Sequence, residues 1–378
     1  MRRVVVVGGA GRIGQVVAAR LLAQHPDLSV TITSRDPKRG QKVASRLGAR
    51  AASASLDLSD GAGLRNLVSG ASLVIHTAGP FQSADPLVLQ AAIDCGVGYL
   101  DIADDLEFAR KARQLSVQAR AAKVAAIVNG GVFPGMSNIM AGLLCERGPA
   151  QRLSFSYFIA GSGGSGPAVM ASTFLLGTRP ASEFVRGEWV GRQAFTGGVA
   201  TEFLAPVGRR TCYSLELPET TSCYETYKIP NISARFATSP GVWNHATRWT
   251  CTLLKPWLSH RQRVTSFVTL LLPLIRVIDR FVGAAIAMDV AVESADGQTV
   301  QRLRYVHEST MESIAQAVTA QAEELLWGRV SAGVHFPEEA IRDKERHPSA
   351  CSRGWRAIAR FLMGLRTWDR PERFADSF

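Results

Sequence analysis

Apolar residues along this chain come in short unbroken runs, separated by segments in which they recur every three or four positions. Val4 to Val7 form the first run, and Ile13, Val16, Val17, Ala18, Leu21 and Leu22 follow at the wider spacing. An unbroken run predicts a strand buried on both faces of a sheet, and the wider spacing predicts a helix. The alternation continues with "SVTITS" as a second strand, "GLRNLV" as a short helix and "SLVIHTAG" as a fourth strand. "DPLVLQAAIDCG" is a helix closed by Gly96, "VGYLDIAD" a strand, "LEFARKARQLSVQARAAK" a helix and "VAAIVNGG" a sixth strand. Strands alternating with helices predict an α/β fold with a doubly wound parallel sheet over residues 1–135, whose ligands sit at the carboxyl ends of the strands. That rule gathers Gly8–Gly14, Ser34–Lys38, Thr77–Phe81, Asp101–Asp105 and Asn129–Gly135 around one crevice.

Beyond residue 150 the pattern changes to strands with irregular connections. "AIAMDVAVESADGQTVQRLRYVHE" predicts a hairpin turning at Asp296-Gly297, and "MESIAQAVTAQAEELLWG" an amphipathic helix ended by Gly328. The expectation is a second, α+β domain over 136–345 that covers substrate and supports dimerisation, followed by a basic amphipathic tail over 346–378. In that tail Trp355, Ile358, Leu362 and Leu365 share a face, with Arg353, Arg356 and Arg360 beside it. The most apolar stretch, "VTSFVTLLLPLI" at 264–275, is interrupted by Pro273. It is too short for a bilayer, which needs about 20 apolar residues, and reads as a buried core helix or an interfacial one.

Charge changes this picture in one region. Of the net charge of +11, a large share falls between Asn231 and Arg280, where Arg235, Arg248, Lys255, Arg261, Arg263, Arg276 and Arg280 face Asp279 alone. Trp243, Trp249 and Trp257 lie in the same stretch. Basic residues mixed with tryptophan suit acidic lipid headgroups, so peripheral contact with an anionic membrane is one expectation. No nucleic-acid-binding motif accompanies the charge, and no nucleic-acid partner is expected. The six cysteines are scattered without a CxxC pair, which argues against a disulfide framework or a zinc site and for a reducing, cytoplasmic setting. No signal peptide is legible in "MRRVVVVGG".

"GGAGRIG", directly after the first run, satisfies both GxxGxxG (Gly8, Gly11, Gly14) and GxGxxG (Gly9, Gly11, Gly14). With a strand before it and a helix after it, this is the phosphate-binding turn of a Rossmann domain. Gly8, Gly9, Ala10, Gly11, Arg12, Ile13 and Gly14 are the expected pyrophosphate contacts. NAD selection ordinarily uses an Asp or Glu at the end of the second strand. In "VTITSRDPKR" Ser34 and Arg35 occupy that place, and a guanidinium with a hydroxyl, helped by Lys38 or Arg39, suits a 2′-phosphate. Asp36 precedes Pro37 in the order of an N-cap followed by proline in the first helical turn. The expected cofactor is therefore NADP, with no metal. Thr77, Ala78, Gly79 and Pro80 are expected to touch its nicotinamide end.

"VVVVGGAGRIG", "TAGPF", "AAIDCGVGYLDIADD" and "IVNGGVFPGMSN" together resemble the saccharopine dehydrogenase-like family of NAD(P)-dependent oxidoreductases. The similarity covers about 1–140 well and extends through "IAGSGGSGPAVMASTFLLG" to "GVHFPEEAI". It implies an N-terminal Rossmann domain, a second domain with its own sheet, substrate between them, and hydride chemistry at a C=N or C=C bond. Members acting on amino acids commonly carry an Asp before the Pro-Gly of this motif, where this chain has Phe133. Loss of that carboxylate implies a more apolar substrate.

Candidate chemistry competes with plain structure at each remaining position. Asp101, Asp104 and Asp105 are carboxylates fit to give or orient a proton, or caps of the helix that begins near Leu106. Asp101, inside the strand, is the favoured catalytic candidate of the three. His76 precedes the "TAGP" turn as a proton relay or a structural histidine. Tyr224 and Tyr227, read as a strand with Thr226, offer a phenol or pack their rings. Phe133, Ser137 and Asn138 are the substrate-facing candidates, with Ser137 also an N-cap. "GSGGSG" (161–166) reads as a flexible turn rather than a P-loop. The expected protein is an NADP-dependent reductase of a largely apolar small molecule, at a membrane surface or free of it. The alternatives are a family member that binds nucleotide without catalysis and a C=N-reducing amino-acid or opine-type dehydrogenase; a homodimer is left open.

Overall fold

The computed structural model describes residues 1–164, 167–258, 260–294 and 300–341. The tail expected over 346–378 and the Asp296-Gly297 turn lie outside the described residues.

The four valines of the opening run are all buried within β1 (Arg2–Val7). The first domain then runs α1 (Arg12–Gln24), β2 (Leu28–Ser34), α2 (Pro37–Leu47), β3 (Ala51–Ser55), α3 (Gly61–Val68), β4 (Leu73–His76), α4 (Leu87–Asp94), β5 (Gly98–Asp101), α5 (Leu106–Gln114), α6 (Ser116–Ala121) and β6 (Ala125–Ile127). The strands are all parallel and order as β6-β5-β4-β1-β2-β3, the doubly wound arrangement. The chain reverses direction across the sheet between β1 and β4, so their carboxyl ends frame a crevice.

The second domain comprises α7 (Met136–Cys145), β7 (Ala150–Ala160), α8 (Pro167–Gly177), β8 (Pro180–Val185), β9 (Glu188–Gln193), β10 (Val199–Glu202), β11 (Arg209–Ser214), α9 (Glu219–Tyr227), β12 (Ile232–Ser239), α10 (Val242–Leu253), α11 (Lys255–Leu258), α12 (Arg261–Val282), β13 (Ile286–Ser294) and β14 (Val300–His307). Its sheet orders β10-β11-β12-β7-β13-β14, with β8 beside β12 and β9 beside β8. β7 and β12 are parallel, from Leu153 opposite Ile232 to Ala160 opposite Ser239, and β13 is antiparallel to β7. β7 from Leu153 onward and β13 as far as Val292 are almost wholly buried, with α7 packed on one face and Phe203, Val207 and Cys212 on the other.

The helix expected over 106–123 is split at Leu115 into α5 and α6, and two further differences alter the architecture. Tyr224 and Tyr227 were expected on a strand but lie on helix α9, which ends at Lys228 with a left-handed φ of 55°. β-branched and aromatic residues favour strands mainly by fitting a half-buried pleated surface, and here the surroundings offer a helix site instead. The second difference is a return of the chain. After β14, α13 (Thr310–Leu326) packs against α1, and β15 (Gly333–His335) adds to the first sheet beside β6, ahead of α14 (Pro337–Ala340). Ala315, Val318 and Ala322 of α13 share a core with Val4, Val6 and Leu21. Residues 310–341, expected with the second domain, thus complete the first.

Candidate active site

Close backbone packing builds the glycine turn. A Cβ on Gly9 would stand 2.6 Å from Cβ of Ile32, and one on Gly14 would stand 2.5 Å from Cα of Gly9. Gly8 has a φ of 78°, and its N–H donates to Thr33 Oγ1 at 2.9 Å. Gly11 is the N-cap of α1 and supplies no side chain; the first turn of that helix carries no acidic residue. The amides there are open to an anion, and the bare backbone lets a pyrophosphate approach. Ala10 is buried beneath the turn, and Ile13 faces the crevice. Arg12 reaches the second domain, donating from Nη1 to the carbonyl of Gly164 at 2.6 Å.

At the end of β2, Asp36 is the N-cap of α2, with Oδ1 accepting from Lys38 N at 3.0 Å and Arg39 N at 3.3 Å. Ser34 Oγ accepts from Asp36 N at 3.1 Å. The Asp36 carboxylate is therefore occupied with the helix start. Arg35 and Lys38 stand exposed beside it at the carboxyl edge of the sheet. The residues fit a cofactor carrying a ribose phosphate.

Thr77 follows β4 and is fixed by a hydrogen bond from its Oγ1 to Val7 O at 2.9 Å. Ala78 packs on Gly8, and the Gly79-Pro80 peptide is cis. Thr77, Gly79 and Pro80 form one wall of a cleft of about 950 Å³ that is partly open to solvent. The opposite wall comes from the second sheet and α8, with Ile159, Val169, Leu215 and Phe236 among its residues. Thr310 and Ile314 of α13 close one end, so the returning segment contributes to the site. The described lining holds one carboxylate, Asp104, and no arginine or lysine.

The structure does not bring Asp101, His76 and Tyr224 together in this cleft. Asp101 is fully buried below it, with Oδ1 accepting from Ala103 N at 3.0 Å and Asn129 N at 2.8 Å. Burial pushes its carboxyl up to about 6. His76 is packed between Phe81 and Tyr99, its Nδ1 lying 3.2 Å from the Tyr99 hydroxyl. Burial lowers its pKa to about 3, so the ring is neutral. Tyr224 packs against Phe184 and Trp189 and is not among the residues that line the cleft.

The adjacent carboxylates divide their work. Asp105 caps α5, accepting from Phe108 N at 2.9 Å, and pairs with Arg179 at 2.6 Å. Asp104 lines the cleft instead. Ser172 of α8 donates to its Oδ2, and Gln82 donates from Nε2 to its Oδ1 at 3.1 Å. Burial raises the Asp104 pKa above the ordinary carboxylate value, partly opposed by these hydrogen bonds. Sequence pattern ranks Asp104 with Asp105 as a cap; the distinguishing signal was the polar pair Ser172-Thr173 in a largely apolar helix.

Of the substrate-facing candidates, Phe133 lines the cleft, its ring stacked on Tyr157 with centroids 4.5 Å apart. Ser137 and Asn138 are buried behind it. Ser137 Oγ donates to Glu219 Oε1 at 3.0 Å, and Asn138 joins Gly135 N to Ser222 Oγ. The N-cap of α7 is Gly135 rather than Ser137. The described part of the glycine-rich turn, 161–164, is anchored by Asp279 of α12, which accepts from Ser162 N at 2.8 Å and from its hydroxyl. Among the described residues, no cluster of His, Cys, Asp and Glu could hold a metal ion.

A parallel sheet with a glycine turn at its first crossover, joined to a second domain across a cleft, defines a nucleotide-dependent oxidoreductase. Residues 4–130 match the family model described as the saccharopine dehydrogenase NADP binding domain. Over these residues the resemblance read from the sequence holds, and the match supports NADP as the cofactor. Beyond it, the fold is that of saccharopine dehydrogenase. The apo, L-Glu-forming enzyme from Saccharomyces cerevisiae superposes with a TM-score of 0.62 at 16% identity, over 89% of this chain and 94% of that one. A short-chain type dehydrogenase/reductase from Mycobacterium ulcerans is 18% identical over 34% of this chain and 66% of its own, with a TM-score of 0.28. Serine dehydrogenase from Escherichia coli is 18% identical over 33% of this chain and 80% of its own, with a TM-score of 0.26. Among curated proteins no sequence match is found.

Proposed function

We propose that the protein is an NADP-dependent reductase acting on a C=C or C=N bond of a largely apolar small molecule. The observation that carries this reading is the composition of the cleft: apolar walls from both domains around one carboxylate, at the side where Thr77, Gly79 and Pro80 would meet the nicotinamide. An amino-acid substrate would bring a carboxylate and an ammonium, and the described lining has no cation to receive the former. Burying such a group unpaired would be costly.

In this reading Arg35, with Lys38 beside it, receives the 2′-phosphate, and the Gly8–Gly14 turn receives the pyrophosphate. The bound cofactor supplies a hydride. Asp104, with its proton affinity raised by burial, supplies the proton to the atom that gains the electron pair. Ser172 and Gln82 fix its orientation, and Phe133 with Phe236 excludes water from the reacting bond. Catalysis distinguishes this protein from one that merely binds nucleotide. The test is a panel of apolar enones and imines scored for NADPH oxidation. Turnover of an apolar member that vanishes in Asp104→Asn, with NADPH binding intact, is the expected result. Turnover confined to amino-acid imines would overturn the substrate class, and NADPH binding without turnover of any member would favour the non-catalytic alternative.

A further inference from the structure

Helix α12 has two unlike faces. Val264, Val268 and Ile275 are buried, and the first two pack with Ala171 and Leu175 of α8 and with Leu258. Phe174 of α8 and Phe267 of α12 meet edge to face with centroids 5.5 Å apart. On the outer side Leu270, Leu274, Val277 and Phe281, spaced by four, three and four residues, form an exposed stripe; Phe281 is 86% exposed. Large apolar residues of the neighbouring helices are also exposed: Trp249 and Leu253 on α10, Leu254 at its end, and Trp257 on α11. A soluble surface seldom gathers this many large apolar groups without a partner.

The cations beside them identify the partner's chemistry. Arg263, Arg276 and Arg280 are exposed on α12, and Lys255 on α11. Asp279, the single acid of this stretch, is turned inward to hold Ser162. Arg235, counted with the basic stretch in the sequence, pairs with the buried Glu183 at 2.9 Å and does not belong to this surface. Exposed leucine, phenylalanine and tryptophan ringed by arginine and lysine match an interface that is apolar below and anionic above, namely acidic phospholipid. None of the described helices is long and apolar enough to cross a membrane, so the contact lies in the plane of the surface.

We propose that α10–α12 dock the protein on anionic membranes, with the stripe of α12 inserted among the acyl chains. The placement has a functional corollary that rests on the reductase reading. The helix beneath this surface is α8, whose opposite side supplies Ala168, Val169, Ser172, Thr173 and Leu176 to the cleft. Only α12 and α8 therefore separate the bilayer from the apolar site, and the substrate class becomes a membrane-dissolved lipid rather than a water-soluble metabolite.

The test is co-sedimentation of the full chain with vesicles of phosphatidylglycerol and of phosphatidylcholine, at low and high salt. Binding is expected to phosphatidylglycerol alone and to weaken with salt. Replacing Arg276 and Arg280 together by alanine should lower partitioning about thirtyfold, roughly fivefold for each charge near the surface. Leu274→Glu with Phe281→Glu should abolish it while NADPH binding, which reports the fold, stays unchanged. Failure of the intact protein to sediment with phosphatidylglycerol overturns the proposal, as does full binding by both variants. Sedimentation equilibrium without vesicles covers the remaining occupant: a dimer that these variants dissociate would make the face a self-interface and also overturn it. These outcomes are independent of the enone and imine screen, so failure of the docking surface and failure of the reductase reading are distinguishable.

Discussion

Ser172 donates a hydrogen bond to Asp104, although the two residues lie 68 positions apart and on different domains. The contact ties α8 to the turn after β5 and opposes the effect of burial on the carboxyl. A proton donor must be protonated to act, so activity falls as pH rises through its pKa. Ser172→Ala removes a contact that lowers that pKa, and its falling limb should move to higher pH. Asp104→Asn should lack this limb and lose about a hundredfold or more in kcat, with NADPH affinity unchanged. Profiles of kcat/KM against pH for the three proteins check both outcomes; a Ser172→Ala limb displaced to lower pH would exclude Asp104 as the titrating acid.

Arg35 and Asp36 are neighbours with separate tasks, one exposed at the cofactor edge and the other capping α2. Arg35→Ala should weaken NADPH by about 1–3 kcal/mol, the range for a lost charge-assisted contact, and leave NADH unaffected. Asp36→Ala should lower stability by about 1 kcal/mol through the lost cap without changing the preference between the cofactors. Isothermal titration with both nucleotides, alongside thermal unfolding, separates the two effects.

Gly14→Ala places a methyl group 2.5 Å from the backbone of Gly9 and 2.9 Å from Thr77 Oγ1. Both neighbours belong to the cofactor edge, so accommodation must displace the turn. Overpacking of this kind costs about 1–3 kcal/mol. The expected outcome is a lower melting temperature together with loss of the NADPH-induced rise in that temperature.

Asp101 tests buried charge rather than catalysis. Its carboxyl is pushed from an ordinary 3.8 up to about 6 in the folded protein, so the folded state keeps this proton longer than the unfolded chain does. The group's contribution to stability is full below about pH 4 and is lost as pH rises through about 6. Asp101→Asn keeps an acceptor for Ala103 N and Asn129 N and has no charge to bury. The variant should gain on the parent protein by about 1–3 kcal/mol between pH 4 and pH 7. Urea unfolding at both pH values measures the gain; an equal difference at the two would show that Asp101 does not titrate in this range.

Legibility in the sequence followed locality. The buried valine run, the glycine turn and the Asp36-Pro37 cap are each set by residues within a few positions, and each has its expected form. Distant partners decided what was not legible. Asp104 and Asp105 are equivalent as sequence; Ser172 and Arg179, both in or just after α8, draw them to different tasks. The amphipathic pattern of α13 required a partner surface without naming α1. Tyr224 and Tyr227 carried strand propensity into a site whose packing suits a helix.

The return of the chain to its first sheet constrains how the two halves can move apart. Two covalent crossings join the halves, one entering α7 and one leaving β14, so the halves cannot separate like beads on a string. Their relative movement is limited by both crossings and by the Arg12–Gly164 hydrogen bond between the halves. Excision at residue 135 would strip the nucleotide half of an edge strand and a covering helix; a stable fragment should instead require 310–341 grafted after β6.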